Sequence, residues 1–231
     1  MKKEILFIAA THGDEKIGEK VLSKLEKDGK KSDWIIGNPE AFVKSRRCCD
    51  VDLNRCAPGN INSKKYEEKR AAEILKITKN YKYVIDIHGT TANSGIFAIV
   101  TNPTIENLIF ATSLPVKNVV IWVAKKKEII NPLSEFFPCG LELECGPKDS
   151  DKTKKGIEKI IEKIINKTPS KIKQNFYQVY GRIDGNWDKG LKDFQSNAIG
   201  QEKFYPILSN QYEGIKCYKM KRLNLLDLLS Y

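Results

Sequence analysis

The feature that most constrains this chain is an alternation of short apolar runs with amphipathic stretches over its first 165 or so residues. Ile5 to Ala10 is wholly apolar and reads as a buried strand. From Glu15 to Lys27, Ile17, Val21, Leu22 and Leu25 fall at helical spacing. The pattern repeats with a strand at Trp34 to Ile36, a helix over Lys65 to Lys79 and a strand at Tyr83 to Ile87. Strands near Ile96 to Val100, Val119 to Val123 and Gly140 to Cys145 follow, with a short helix near Thr104 to Thr112. Such repeated βα units predict an α/β fold, a mixed central sheet with helices on both faces. The amphipathic segment Lys152 to Lys167 closes a first domain, residues 1–168. Beyond Thr168-Pro169-Ser170, the short segments FYQVYGRI, KFYPIL and IKCYKMKRL predict a small β-rich C-terminal domain, residues 169–231, expected to cover the site.

Composition narrows the function classes. The net charge of +11 comes from lysines spread through nearly every helical stretch, which reads as a solvated surface. No zinc-finger spacing or aromatic ribonucleoprotein motif accompanies it, so specific nucleic-acid binding is not expected. MKKEILFIAA carries Glu4 and leads directly into THGDE, so it is expected to be a first strand and not a signal peptide. The six cysteines contain no C-x-x-C pair, and reduced thiols in the cytoplasm, without a membrane span, are the expectation. Cys145 is expected as a small buried strand residue.

Both of the chain's histidines, His12 and His88, stand where an apolar strand ends, and a glycine follows each. Ligands gather at the carboxyl ends of strands in open α/β sheets. Glu15, three residues after His12, is expected on the same side of the first helical turn. Two imidazoles and a carboxylate leave a position open, as a catalytic zinc requires, so one Zn2+ per chain is expected. Asp86 shares a strand face with His88 and is placed to orient its ring from behind. Asp14 and Asp52 are competing carboxylates, with Asp14 expected to cap the following helix.

Two further motifs surround this set. Arg47-Cys48-Cys49-Asp50-Val51-Asp52-Leu53-Asn54-Arg55 packs arginines, aspartates and an asparagine into a turn-rich stretch. Asn54 and Arg55 suit a substrate carboxylate, and Arg47 suits polarisation of a scissile carbonyl; the alternative is that the arginines pair with Asp50 and Asp52. In Leu141-Glu142-Leu143-Glu144-Cys145-Gly146-Pro147, a strand delivers a glutamate to the sheet edge. Alternation sends Glu142 and Glu144 to one face, and Glu144, nearer the strand end, is the candidate general base.

Taken together, THGDE, GNPEA, RCCDVDLNR, DIHGTTAN and ECGP resemble the succinylglutamate desuccinylase and aspartoacylase family of zinc carboxypeptidase-like hydrolases, in order and spacing across residues 1 to about 150. The resemblance implies zinc at His12, Glu15 and His88, Glu144 as general base, Arg47 at the oxyanion, and Asn54 with Arg55 on the substrate carboxylate. It also implies a tyrosine from the C-terminal domain, for which Tyr212 is the nearest match. Three departures bear on substrate. Gly89 stands where aspartoacylases carry asparagine, a further substrate-binding arginine before Glu144 has no counterpart beyond Lys125 to Lys127, and the C-terminal part is short.

The expected activity is hydrolysis of an amide in a small carboxylate-bearing molecule, an N-acyl amino acid. A metallocarboxypeptidase acting on short peptides is the nearest alternative. A non-enzymatic zinc- or nucleic-acid-binding protein is the alternative of another class.

Overall fold

In the computed structural model, which describes residues 2–123, 131–185, 190–228 and 231, the first apolar run becomes β1 (Lys3–Ala9). Its side chains alternate: Phe7 and Ala9 enter one core, Leu6 and Ile8 another on the opposite face. The expected helix over the following residues is α1 (Ile17–Lys27), whose Ile17, Val21, Leu22 and Leu25 are buried against the first face. It starts two residues later than the periodicity suggests.

The remaining elements follow in chain order: β2 (Asp33–Ile36), α2 (Pro39–Val43), α3 (Tyr66–Thr78), β3 (Tyr81–Gly89), β4 (Gly95–Val100), α4 (Ile105–Ser113) and β5 (Asn118–Ile121). Then come β6 (Gly140–Gly146), α5 (Asp151–Ile165), β7 (Asn175–Asp184), β8 (Asn197–Ile199), β9 (Glu202–Ile207), β10 (Ile215–Leu223) and α6 (Leu225–Leu228). Among the described residues the strands form one ten-stranded sheet in the order β2-β1-β3-β6-β4-β5-β7-β10-β9-β8. It is mixed: β1, β2, β3 and β6 run parallel, while β4 lies antiparallel to β6.

Helices α1, α4 and α5 cover one face, and α3 with short 3-10 turns at Leu53–Arg55 and Leu133–Phe136 covers part of the other. The expected boundary at residue 168 falls between α5 and β7. The segment beyond it is β-rich as its sequence suggests, and it prolongs the same sheet, with β7 pairing parallel to β5. Its inward side chains Tyr177, Val179, Ile207, Leu208, Tyr218 and Met220 join Phe97, Ile99, Val120 and Trp122 in a third core. No helix among the described residues is long and apolar enough to cross a membrane.

These cores explain where polar chemistry can sit. Along β3 and β6, Ile85, Ile87, Leu141, Leu143 and Cys145 point to the helix α1 side. Asp86, His88, Glu142 and Glu144 therefore share the other face, between the α3 core and the aromatic core. Cys145 is fully buried, as expected of a strand residue, and all six cysteines are free thiols.

Candidate metal and acyl-binding site

The chain leaves β1 through Ala10, whose φ of 55° is left-handed, and turns sharply so that Thr11 and His12 lie over the carboxyl ends of the strands. The His12–Glu15 segment is a turn ahead of the helix, closed by a bond from Glu15 N to His12 O at 3.0 Å, and not the helical turn expected from the spacing. Gly13 is needed there because a Cβ would meet the Ala41 carbonyl carbon at 2.1 Å. Asp14 does not cap α1; the helix has no side-chain cap, and Asp14 instead pairs with Lys148 at 3.2 Å.

Glu15 is buried between the two imidazoles. Its Oε1 lies 2.8 Å from His12 Nδ1 and its Oε2 lies 3.1 Å from His88 Nδ1. Gly89 N also donates to Oε2, at 2.9 Å. Ligand-capable atoms of His12, Glu15 and His88 all lie within 4.8 Å of one another. Each outer ring nitrogen faces a second carboxylate: His12 Nε2 is 3.0 Å from Asp52 Oδ1, and His88 Nε2 is 3.1 Å from Asp86 Oδ2. Asp86 is in turn held by Thr11 Oγ1, which donates at 2.8 Å. Asp86 lies on the strand face expected of it, close to His88, and Asp52, a competing carboxylate in the sequence, pairs with His12 instead.

The donor set fits a zinc ion. Two imidazoles and a carboxylate converge, and carboxylates back both rings. Burial disfavours charge on both histidines, but Glu15 on His12 and Asp86 on His88 outweigh it and raise both rings above their ordinary range. Burial would likewise raise Glu15, yet the two imidazoles hold it well below the usual carboxylate range.

The glutamates of β6 are told apart by their partners. Glu142 Oε1 accepts from Asn54 Nδ2 at 3.1 Å and Ser134 Oγ at 2.9 Å. Glu144 stands beside His88 in the strand register, keeps part of its surface open, and accepts no hydrogen bond from the described residues. Burial, with Glu15 and Glu142 near it, pushes its carboxyl up to about 8. A carboxyl poised near neutrality and free of partners is suited to moving a proton.

The arginine-rich stretch wraps over this set. Arg47 donates to Asp52 Oδ2 through Nε at 3.1 Å and NH2 at 2.7 Å, the pairing weighed as the alternative, while its NH1 reaches within 3.8 Å of Glu15 Oε1. Asn54 is buried and its amide is largely committed, accepting from Leu133 N at 2.9 Å as well as donating to Glu142. Arg55 donates through NH1 to the Asn54 carbonyl at 2.7 Å. Asp52 also accepts from Asn54 N at 2.9 Å, so one carboxylate ties His12, Arg47 and the 3-10 turn together.

Glu67, which no sequence motif marks, anchors the stretch from below. Fully buried at the start of α3, it accepts from Asn38 Nδ2 at 3.1 Å, Asp50 N at 2.9 Å, Val51 N at 3.2 Å and the Cys49 amide.

A small cavity of about 40 Å³ lies over the cluster, and His12, Glu15, Asn54, Arg55, His88 and Glu144 line one wall. Ile99, Trp122, Leu208, Tyr212 and Tyr218 line the other. Tyr212 thus reaches the site, and burial raises its hydroxyl above the ordinary phenol range. Gln211 fastens this segment to the loop after His88, its Oε1 accepting from Thr90 Oγ1 at 2.6 Å, Thr91 Oγ1 at 2.6 Å and Thr91 N at 2.9 Å. No periodicity marks Gln211 or Trp122 in the sequence. Lys125 to Lys127 lie outside the described residues.

A mixed sheet with this histidine and glutamate cluster at its strand ends defines the zinc carboxypeptidase-like class of α/β folds. Within it, a family model described as the succinylglutamate desuccinylase/aspartoacylase catalytic domain matches residues 1–150, and the chain belongs to that family. It is similar to a probable aspartoacylase of Acaryochloris marina, 27% identical over 164 residues that make up 63% of this chain and 55% of the relative. A probable aspartoacylase of Prochlorococcus marinus strain AS9601 is 33% identical over 162 residues, 62% of this chain and 54% of the relative. The chain thus spans about half the length of these curated relatives. Among solved structures, murine aminoacylase 3 superposes with a TM-score of 0.73 at 17% identity, covering 96% of this chain and 95% of that one. The succinylglutamate desuccinylase from Chromobacterium violaceum gives 0.72 at 15% identity, covering 97% and 86%. At such identities the likeness is one of fold.

Proposed function

We propose that this protein hydrolyses the amide bond of a small carboxylate-bearing N-acyl amino acid, with a zinc ion held by His12, Glu15 and His88. The observation that carries the reading is the convergence of those three buried side chains beside a glutamate with a raised pKa and no hydrogen-bond partner among the described residues. When bound, zinc would supply Lewis-acid activation of water and of the scissile carbonyl.

This chain's residues perform the rest. Arg55, with the remaining N–H of Asn54, binds the substrate carboxylate and sets the amide across the cavity. Asp52 fixes Arg47 by two donors, so NH1 stays near Glu15, where negative charge develops on the carbonyl oxygen during attack. Glu144 takes a proton from the attacking water on its free carboxylate and delivers it to the leaving nitrogen, so the amine departs neutral. Asp52 holds the His12 imidazole in one orientation from behind, and Asp86 sets a carboxylate 3.1 Å from His88 Nε2. Tyr212 and the rest of the C-terminal wall exclude bulk water, which strengthens these interactions.

A zinc-loaded protein assayed against a panel of N-acyl amino acids and dipeptides tests the proposal. Release of free amine from the acyl amino acids, lost on zinc removal, is expected. Turnover confined to dipeptides would move the reading to a carboxypeptidase, and turnover that survives without metal would overturn the mechanism.

A further inference from the structure

Among the described residues, two buried side-chain polar atoms have no hydrogen-bond partner, His88 Nε2 and Trp122 Nε1. Both residues line the same cavity. His88 belongs to the metal cluster, with Asp86 beside the unpartnered nitrogen though out of line for a bond. Trp122 has no place in the machinery derived above.

Trp122 directly follows β5, where its backbone N donates to Val100 O at 2.9 Å, so its position is fixed by the sheet. Its ring is 4% exposed and meets Tyr218 edge-on, with centroids 4.5 Å apart. A buried indole N–H normally finds an acceptor, and leaving one unmade costs stability. A fold tolerates that cost where a ligand supplies the missing acceptor.

The surroundings say what kind of acceptor. Ile99 and Leu208 pack with Trp122 in one apolar cluster, and Arg55 is the cation lining the cavity among the described residues. A second carboxylate brought against Ile99, Leu208 and the indole would lose its hydration for a single neutral donor, which is unfavourable. An uncharged oxygen on an otherwise apolar group satisfies the N–H at far lower cost.

Resting on the hydrolase reading above, we infer that Trp122 Nε1–H is a substrate-binding donor that selects an uncharged oxygen acceptor on the part of the substrate that Arg55 does not bind. The preferred substrate then carries one carboxylate and a neutral, largely apolar end such as a carboxamide on a short alkyl chain, in place of a second carboxylate.

The test uses the zinc-loaded full chain and Trp122→Phe, with each ligand followed both by hydrolysis and by titration calorimetry. Two matched sets probe the two ends of the substrate: N-acetylglutamine, N-acetylglutamate and N-acetylnorleucine for the amine side, and N-succinamoyl-, N-succinyl- and N-pentanoyl-alanine for the acyl side. In one of these sets the amide-ended member should bind the wild type about tenfold more tightly than the acid-ended one. Trp122→Phe should weaken that member about tenfold while changing the hydrocarbon-ended member less than about twofold, with kcat nearly unmoved. Preference for the acid-ended member in both sets, or equal weakening of all ligands by Trp122→Phe, would overturn the inference. The predicted discrimination in calorimetry without any hydrolysis would support the role of Trp122 and overturn the hydrolase reading instead.

Discussion

The two walls of the cavity are built on different terms. On the polar wall, Asp52, Asn54 and Glu142 already have their partners within the protein, and Glu67 fastens the loop beneath them. On the aromatic wall, the Trp122 N–H and the Tyr212 hydroxyl are left without a hydrogen bond from the described residues. The first wall is pre-organised, so damage to it should disturb stability or the chemical step. The second keeps its donors for a ligand, so changes there should be felt in binding. Glu144 is the exception on the polar wall, and its lack of partners is what marks it for proton transfer.

The sharpest way to break this contrast is Glu144→Gln. Hydrolysis should fall by about a thousandfold or more, while zinc content stays at wild-type level by metal analysis. A next, smaller effect falls on folding: Glu67→Ala leaves three backbone N–H groups and an asparagine amide without their acceptor, and should cost about 3 kcal/mol in urea denaturation. Arg55→Ala should raise KM by about tenfold to a hundredfold, with a smaller change in kcat, in steady-state assays.

A pH scan sharpens the electrostatic half of the comparison. In the metal-free protein the Glu144 carboxyl rises from an ordinary value of about 4.3 to about 8. The fold therefore favours its protonated form, a contribution present below about 4.3 and lost as pH rises through about 8. Relative to wild type, metal-free Glu144→Gln should gain on the order of 5 °C in Tm between pH 5 and pH 9, read by calorimetry. Zinc should abolish most of that gain, because a divalent cation favours the ionised carboxylate. The smallest effect belongs to the aromatic wall, where Tyr212→Phe should change Tm by less than about 1 °C and affect KM more than kcat.

The same contrast separates what the sequence makes legible from what it does not. The polar wall is carried by short motifs, so His12 and His88 were expected at strand ends and Glu144 on one strand face with Glu142 before any contact was known. The strands themselves were equally plain, because Phe7 and Ala9 enter one core while Leu6 and Ile8 enter the other. Partnerships across long separations were not. The Asp52 bond to His12 spans 40 residues, the Glu67 bonds span up to 29, and the Gln211 bond to Thr90 spans 121. Neither helical nor strand periodicity encodes them. Asp14 illustrates the converse error. An acidic residue ahead of a helix suggests a cap, but Lys148, brought in from β6's far end, takes it instead.

The proposed chemistry depends on the metal centre, and bound zinc measured after exhaustive dialysis reads it directly. Wild type and Glu144→Gln should each retain about one equivalent per chain, and His88→Ala below about a tenth of that. A wild-type protein that retains no zinc, or a His88→Ala protein that keeps its full share, would contradict it.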